Sequence, residues 1–134
     1  MPPAEPAERA DSRQIGRVAE LTELSIRTLR HYDEVGLVTP SDRSDGGFRL
    51  YTARDVDRLL AVRAMKPLGF SLAEVRRLLD TLDALDGTDA SEEDTRAAAA
   101  FVSDCHVRAQ ESCRTLARQL GWAEEFRDLL AGRG

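Results

Sequence analysis

Apolar residues recur every three or four positions through most of this chain, the period of helices that bury one face. Ile15, Val18 and Ala19 predict a first helix from Ser12 or Arg13 to about Glu20 or Leu21. After a turn over Thr22 to Leu24, Ile26, Leu29 and Tyr32 mark the buried side of a second helix, and Arg27, Arg30, His31 and Glu34 share its opposite arc. Ser25 is placed to cap that helix by accepting from a backbone N–H near Thr28. Gly36 is placed to end it, because glycine tolerates a left-handed backbone.

The period changes after Gly36. Leu37 to Thr39 and Phe48 to Tyr51 are short β-favourable runs around Pro40, Ser41, Asp42, Ser44, Asp45, Gly46 and Gly47, which predicts a hairpin with a mobile tip. Thr52 with Asp55 resembles a capping box and opens a third helix through Val56, Leu59 and Leu60, stopped by Pro67 and Gly69. Ser71 with Glu74 opens a fourth, with Leu72, Val75, Leu78, Leu79 and Leu82 facing inward. The acidic stretch 83–90, containing Gly87, reads as a linker.

Ser91 with Asp94 then starts a helix without proline or glycine until Gly121, about 30 residues or roughly 45 Å. Ala98, Phe101 or Val102, Cys105, Ala109, Cys113, Leu116 and Leu120 step along it by threes and fours. A helix with one apolar stripe needs a helical partner, most economically a second copy. Trp122, Phe126, Leu129 and Leu130 either continue this helix past Gly121 or form a short final helix that folds back.

With 134 residues the chain has room for one domain and an appendage. Residues 1–12, with three prolines and mixed charge, read as a disordered tail. The organisation expected is therefore tail 1–12, a reader over 13–82, linker 83–90, and a dimerisation helix with a short terminal segment over 91–134. Net charge is −5, which argues against a polyanionic partner until it is located. Residues 13–82 hold twelve Arg and Lys against ten Asp and Glu, so the acidity lies outside the reader. A weakly basic reader should bind DNA of arbitrary sequence feebly and need dimerisation for affinity.

No apolar stretch approaches the roughly 20 residues needed to span a bilayer, and the N-terminus lacks the features of a secretory signal. A cytoplasmic protein without membrane partners is expected, its Cys105 and Cys113 remaining thiols. Two histidines and two cysteines offer no nucleophile, base and orienter set, and no glycine-rich phosphate loop is present. Gly46 and Gly47 form a turn. An enzyme is disfavoured and no cofactor is implied.

The second helix, apolar on one side and cationic on the other and followed by an arginine-bearing hairpin, has the layout of a winged helix-turn-helix. The fold class expected is mainly α, an N-terminal winged helix-turn-helix with a small β-hairpin wing followed by a long C-terminal helix. The competing reading is a helical adaptor that engages another protein through the acidic long helix, without sequence-specific DNA binding. The two part on salt, since only a DNA reader should retard a particular fragment with affinity that falls steeply as salt rises.

The segments IRTLRHYDEVGLVTP, R..GGFRLYT and LGFSL, in that order and spacing, resemble the MerR family of bacterial transcriptional regulators. The resemblance is close over Arg13 to Leu82 and extends to the long helix in pattern only. It implies a homodimer joined by antiparallel pairing of the terminal helices, with two readers on successive major grooves. It also implies binding to double-stranded promoter DNA with a long spacer, bending and untwisting of that DNA, and an indirect partnership with RNA polymerase at the bacterial nucleoid. Ser25, Arg27, Thr28, Arg30, His31 and Tyr32 fall on the recognition helix, and Arg43, Gly47, Phe48 and Arg49 on the wing. Arg63 and Lys66 match basic positions near a second wing, and Tyr51 a commonly aromatic one.

Arginine can chelate guanine or grip phosphate, and a packed tyrosine can donate its hydroxyl to phosphate. Arg27 is the candidate base reader and Arg30 a mixed one. His31 reads either as a contact or as a solvated helix residue, and Phe48 either as a contact or as hairpin core. Arg54, Arg58, Arg76 and Arg77 read as solvated helix charges.

Along the dimer seam the expected residues are Val102, Cys105, Ala109, Cys113, Leu116 and Leu120. Metal-sensing members of the family carry cysteines after the long helix, whereas this chain ends DLLAGRG. Cys105, His106 and Cys113 do not share one helical face well, so no metal site is expected, although a partner subunit could complete a cluster, and the cysteines read as packed seam residues. The alternative is a redox role, with Cys105 meeting Cys113 of a second copy if an antiparallel pair centres near Ala109. Trp122 and Phe126 either pack the end of the dimer helix or line a small effector pocket.

Overall fold

The computed structural model describes residues 12–87 and 91–133. These fall into two compact units divided between Pro67 and Leu68. The tail expected over residues 1–12 lies, Ser12 apart, outside the described residues, as do residues 88–90 of the expected linker.

In the first unit α1 (Ile15–Thr22) packs against α2 (Ile26–Glu34) and α3 (Ala53–Met65), with a hairpin of β1 (Asp42–Arg43) and β2 (Arg49–Leu50) between the last two. Val18, Leu29, Tyr32, Leu37, Val38, Tyr51, Leu59, Val62 and Met65 are buried and form its core. A fully buried side chain such as Leu59 contributes roughly 1.5–3 kcal/mol relative to an exposed one. α1 ends at Glu23, whose φ of 58° turns the chain left-handed into the short link before α2. Ser25 caps α2 by accepting from the Thr28 N–H at 3.0 Å, as expected. Gly36 follows the helix with φ 71°.

Two expectations for this unit are corrected. Ile26 is exposed, because α2 meets the core only from its second turn, at Leu29 and Tyr32. The first strand is Asp42–Arg43 and not Leu37 to Thr39. Leu37 and Val38 are β-favourable because they are buried: their N–H groups donate to the Tyr32 carbonyl at 2.9 and 3.4 Å and close the end of α2. The strands pair antiparallel in the register Asp42 to Leu50 and Arg43 to Arg49, and Tyr51 exchanges backbone hydrogen bonds with Arg13 at 2.7 and 2.9 Å.

α3 opens with a full capping box. The Asp55 N–H donates to the Thr52 hydroxyl at 3.1 Å, and the Asp55 carboxylate accepts from the Thr52 N–H at 2.9 Å. That buried carboxylate also accepts from the Ser41 N–H at 2.9 Å and the Ser41 hydroxyl at 2.7 Å. One side chain thus ties the start of α3 to the chain entering the hairpin. A 3-10 turn at Lys66–Leu68 and Gly69, with φ 83°, end this stretch.

The second unit pairs α4 (Leu72–Asp86) with α5 (Glu92–Ala131). Val75 and Leu79 are buried, whereas Leu72 and Leu82, expected to face inward, are exposed. A single neighbouring helix covers a narrower sector than the apolar stripe. Residues 83–86, expected as linker, are helical, since nothing from Asp83 to Asp86 breaks a helix before Gly87. α5 runs 40 residues straight through Gly121, which resolves the two courses open for Trp122 and Phe126. One glycine inside a helix costs only about 1 kcal/mol.

Arg108 binds α5 to the segment before α4. It pairs with Glu74, donates to the Gly69 carbonyl at 2.7 Å and lies over the Phe70 ring, 4.4 Å from its centroid. Ser112 donates to the Leu68 carbonyl at 3.0 Å. Arg108, together with the Ser71 N–H and hydroxyl, holds the Glu74 carboxyl down at about 2. The folded value lies below the ~4.3 of an unfolded glutamate. Its stabilisation is therefore complete above that pH and is lost as pH falls toward about 2. Acid titration of helicity should accordingly show a shallower loss over this window in Glu74→Gln than in the parent chain; identical profiles would contradict this account.

Candidate nucleic-acid interface

The surface side of α2 carries Arg27, Arg30 and His31, all exposed, opposite buried Leu29 and Tyr32. With Thr28, Tyr32, Glu34 and Lys66 they line an open cavity of about 660 Å³. Lys66, from the turn after α3, stands with its Nζ 5.7 Å from the centroid of the Tyr32 ring. Such a contact steadies a cation over an aromatic face. No ion pair engages Arg27, Arg30, Arg43 or Lys66 among the described residues. Their charge is available to an anion.

Tyr32 itself is 1% exposed, and its hydroxyl is buried with no hydrogen-bond partner among the described residues. Tyr51 is buried as well, and that burial, followed by the Asp33 charge, pushes its phenol up. Both rings lie almost wholly beneath the surface. Ser25 is occupied as a cap, its hydroxyl donating to Thr28 Oγ1 at 2.8 Å.

At the wing tip the Ser44 N–H donates to the Phe48 carbonyl at 2.8 Å, and the Phe48 N–H returns to the Ser44 hydroxyl at 3.1 Å. Gly47, with φ 85°, makes the turn. Arg43 and Phe48 are both exposed there, the Arg43 guanidinium reaching the Gly47 carbonyl at 3.5 Å. Phe48 is 63% exposed, so the hairpin-core alternative for it is not taken.

Two of the expected contacts are engaged within the chain. Arg49 forms a two-pronged pair with Asp33, Nη1 to Oδ2 at 2.7 Å and Nη2 to Oδ1 at 2.9 Å. Asp33 raises the Arg49 guanidinium pKa further. Arg63 donates to the Thr22 carbonyl at 2.6 Å and lies 3.8 Å from Glu23, closing the C-terminal end of α1. Sequence reasoning missed Asp33 and Glu23 as partners of these arginines, and read Asp55 as a cap of α3 without its bonds to Ser41. A signal for Asp33 was present, because an acid in the last turn of a helix opposes the helix dipole and calls for a cation.

On α5, Val102, Cys105 and Ala109 are half-buried, while Cys113, Leu116 and Leu120 are exposed. Burial pushes the Cys105 thiol up, toward the inert protonated form. Trp122 and Phe126 stand 61% and 60% exposed. Among the described residues no group of three or more His, Cys, Asp or Glu side chains is disposed to hold a metal ion, and no helix is long and apolar enough to cross a membrane.

Residues 13–82 match the family model described as "MerR HTH family regulatory protein". The chain is 45% identical over 67 residues to the nodulation protein NolA of Bradyrhizobium elkanii, covering 50% of this chain and 31% of that one. It is 35% identical over 106 residues to the HTH-type transcriptional regulator CueR of Vibrio cholerae, covering 79% and 67%. A crystal structure of a MerR-family transcriptional regulator from Bacillus cereus superposes with a TM-score of 0.50 at 26% identity, over 87% of this chain and 83% of that one. The chain spans less than a third of the length of the first curated relatives it matches.

Proposed function

The chain belongs to the MerR family of HTH regulatory proteins, and on that footing we propose that it is a sequence-specific regulator of transcription that binds double-stranded promoter DNA as a homodimer. The observation that carries this reading is the exposed surface of Arg27, Arg30 and Lys66, none of them in an ion pair among the described residues, with His31 beside them on the recognition helix and Arg43 at the wing tip. α2 enters a major groove. Arg27 reads a base edge, Arg30 reads a base and grips phosphate, and Thr28, His31, Lys66, Arg43 and Phe48 meet the backbone. Tyr32 and Tyr51 hold these groups from beneath.

The second copy joins through α5, where Cys113, Leu116 and Leu120 are exposed among the described residues. Two readers then fall on successive grooves of one face of the duplex. Family membership further supports action at the promoter by bending and untwisting the spacer DNA, which presents it to RNA polymerase. Such a protein works in the cytoplasm, at the nucleoid.

Selection of bound sequences from random duplexes should return a motif with two-fold symmetry. Affinity for that duplex should fall linearly with log salt, by about 0.9 per phosphate neutralised. Recovery of no preferred sequence would sink this reading in favour of an adaptor. On the selected duplex, Arg27→Ala should cost about 1–3 kcal/mol and relax the preference at one base pair in each half-site. Uniform weakening with preference intact would make Arg27 a phosphate contact.

A further inference from the structure

Resting on the DNA-binding reading, we infer that Asp33 is a positioning residue that recruits Arg49 away from phosphate and uses it to set the wing against the recognition helix. Each strand of the wing is only two residues long, too short to hold an orientation by its own ladder. Its base is tied to α3 by Asp55 and to Arg13 by backbone bonds. The Asp33–Arg49 fork reaches α2 itself, across 16 residues of sequence.

Both terminal nitrogens of Arg49 are occupied by the two oxygens of Asp33, an arrangement that fixes angle as well as distance. Asp33 is the more buried member, at 23% side-chain exposure against 49% for Arg49. The pair is neutral as a unit, so it releases few counterions from DNA. Arg43, on the opposing strand and with no carboxylate partner, keeps its charge for the backbone. Two exposed wing arginines thus take different work.

The test uses the full chain and the duplex it selects from random DNA, with Asp33→Ala, Arg49→Ala, their double variant, Arg49→Lys and Arg43→Ala. Asp33→Ala and Arg49→Ala should each weaken binding about tenfold, and the double variant should be little worse than either, the coupling expected of contacting residues. Arg49→Lys should resemble Arg49→Ala, because a point charge cannot reproduce the fork. The salt slope should stay at the parent value in Arg49→Ala and fall by about 0.9 in Arg43→Ala.

The opposite pattern overturns the inference: Asp33→Ala binding as tightly as the parent or more so, Arg49→Lys behaving as the parent, and a salt slope reduced in Arg49→Ala. If Asp33→Ala is unfolded by circular dichroism, Asp33→Asn keeps the shape without the charge and is read in the same way. Should the parent select no duplex, the regulator reading fails first and this inference falls with it.

Discussion

On the proposed dimeric reading, charging α5 with Leu116→Glu and Leu120→Glu together is expected to leave the chain monomeric and weaken binding to the selected duplex by about 10²–10⁴-fold. That factor is the difference between one reader and two joined readers, whose second contact is made at a high effective concentration. The monomer itself should survive. Both leucines are exposed at the surface of a continuous helix, and glutamate is a good helix former. Sedimentation equilibrium and gel retardation report the two effects separately. A variant that still sediments as a dimer, with affinity unchanged, would remove these leucines from the interface.

Asp55→Ala carries the second large effect. The Asp55 carboxylate accepts three hydrogen bonds, from the Thr52 N–H and from both the N–H and hydroxyl of Ser41. Truncation deletes the acceptor and leaves the Thr52 N–H buried without one, while Ser41 lies at the surface where water can reach it. A loss of about 2–4 kcal/mol is expected, or roughly 10 °C in Tm. Asp55→Asn should recover part of this, because one amide oxygen can serve one side of the site while the amide nitrogen faces donors. Thermal unfolding of the three proteins decides it, and an alanine variant as stable as the parent would mean that the hairpin base is held by other bonds.

Much of this molecule was legible in residue order because the deciding interactions are local. The caps at Ser25, Thr52, Ser71 and Ser91 each join a side chain to a backbone N–H three residues on, so their spacing announces them. The same holds for the two sides of α2, since Leu29, Tyr32, Arg27 and Arg30 are separated by helical rotation alone. The segments carrying the family resemblance also lie where residues 13–82 match the family model.

What packing alone decided involves partners distant in sequence or choices between nearly equal local states. Leu37 and Val38 have the composition of a strand, yet closure of the core after α2 claims them, and the ladder forms from less β-favourable Asp42 and Arg43. Arg49 and Arg63 look like Arg43 in a sequence, and only the folded chain brings Asp33 to the first and the Thr22 carbonyl to the second. Gly121 could break a helix or be carried through one, since its local penalty of about 1 kcal/mol is small beside the helical preference of its neighbours. Charge type and periodicity are properties of a residue and its near neighbours; whether a cation meets a carboxylate or solvent is a property of the fold.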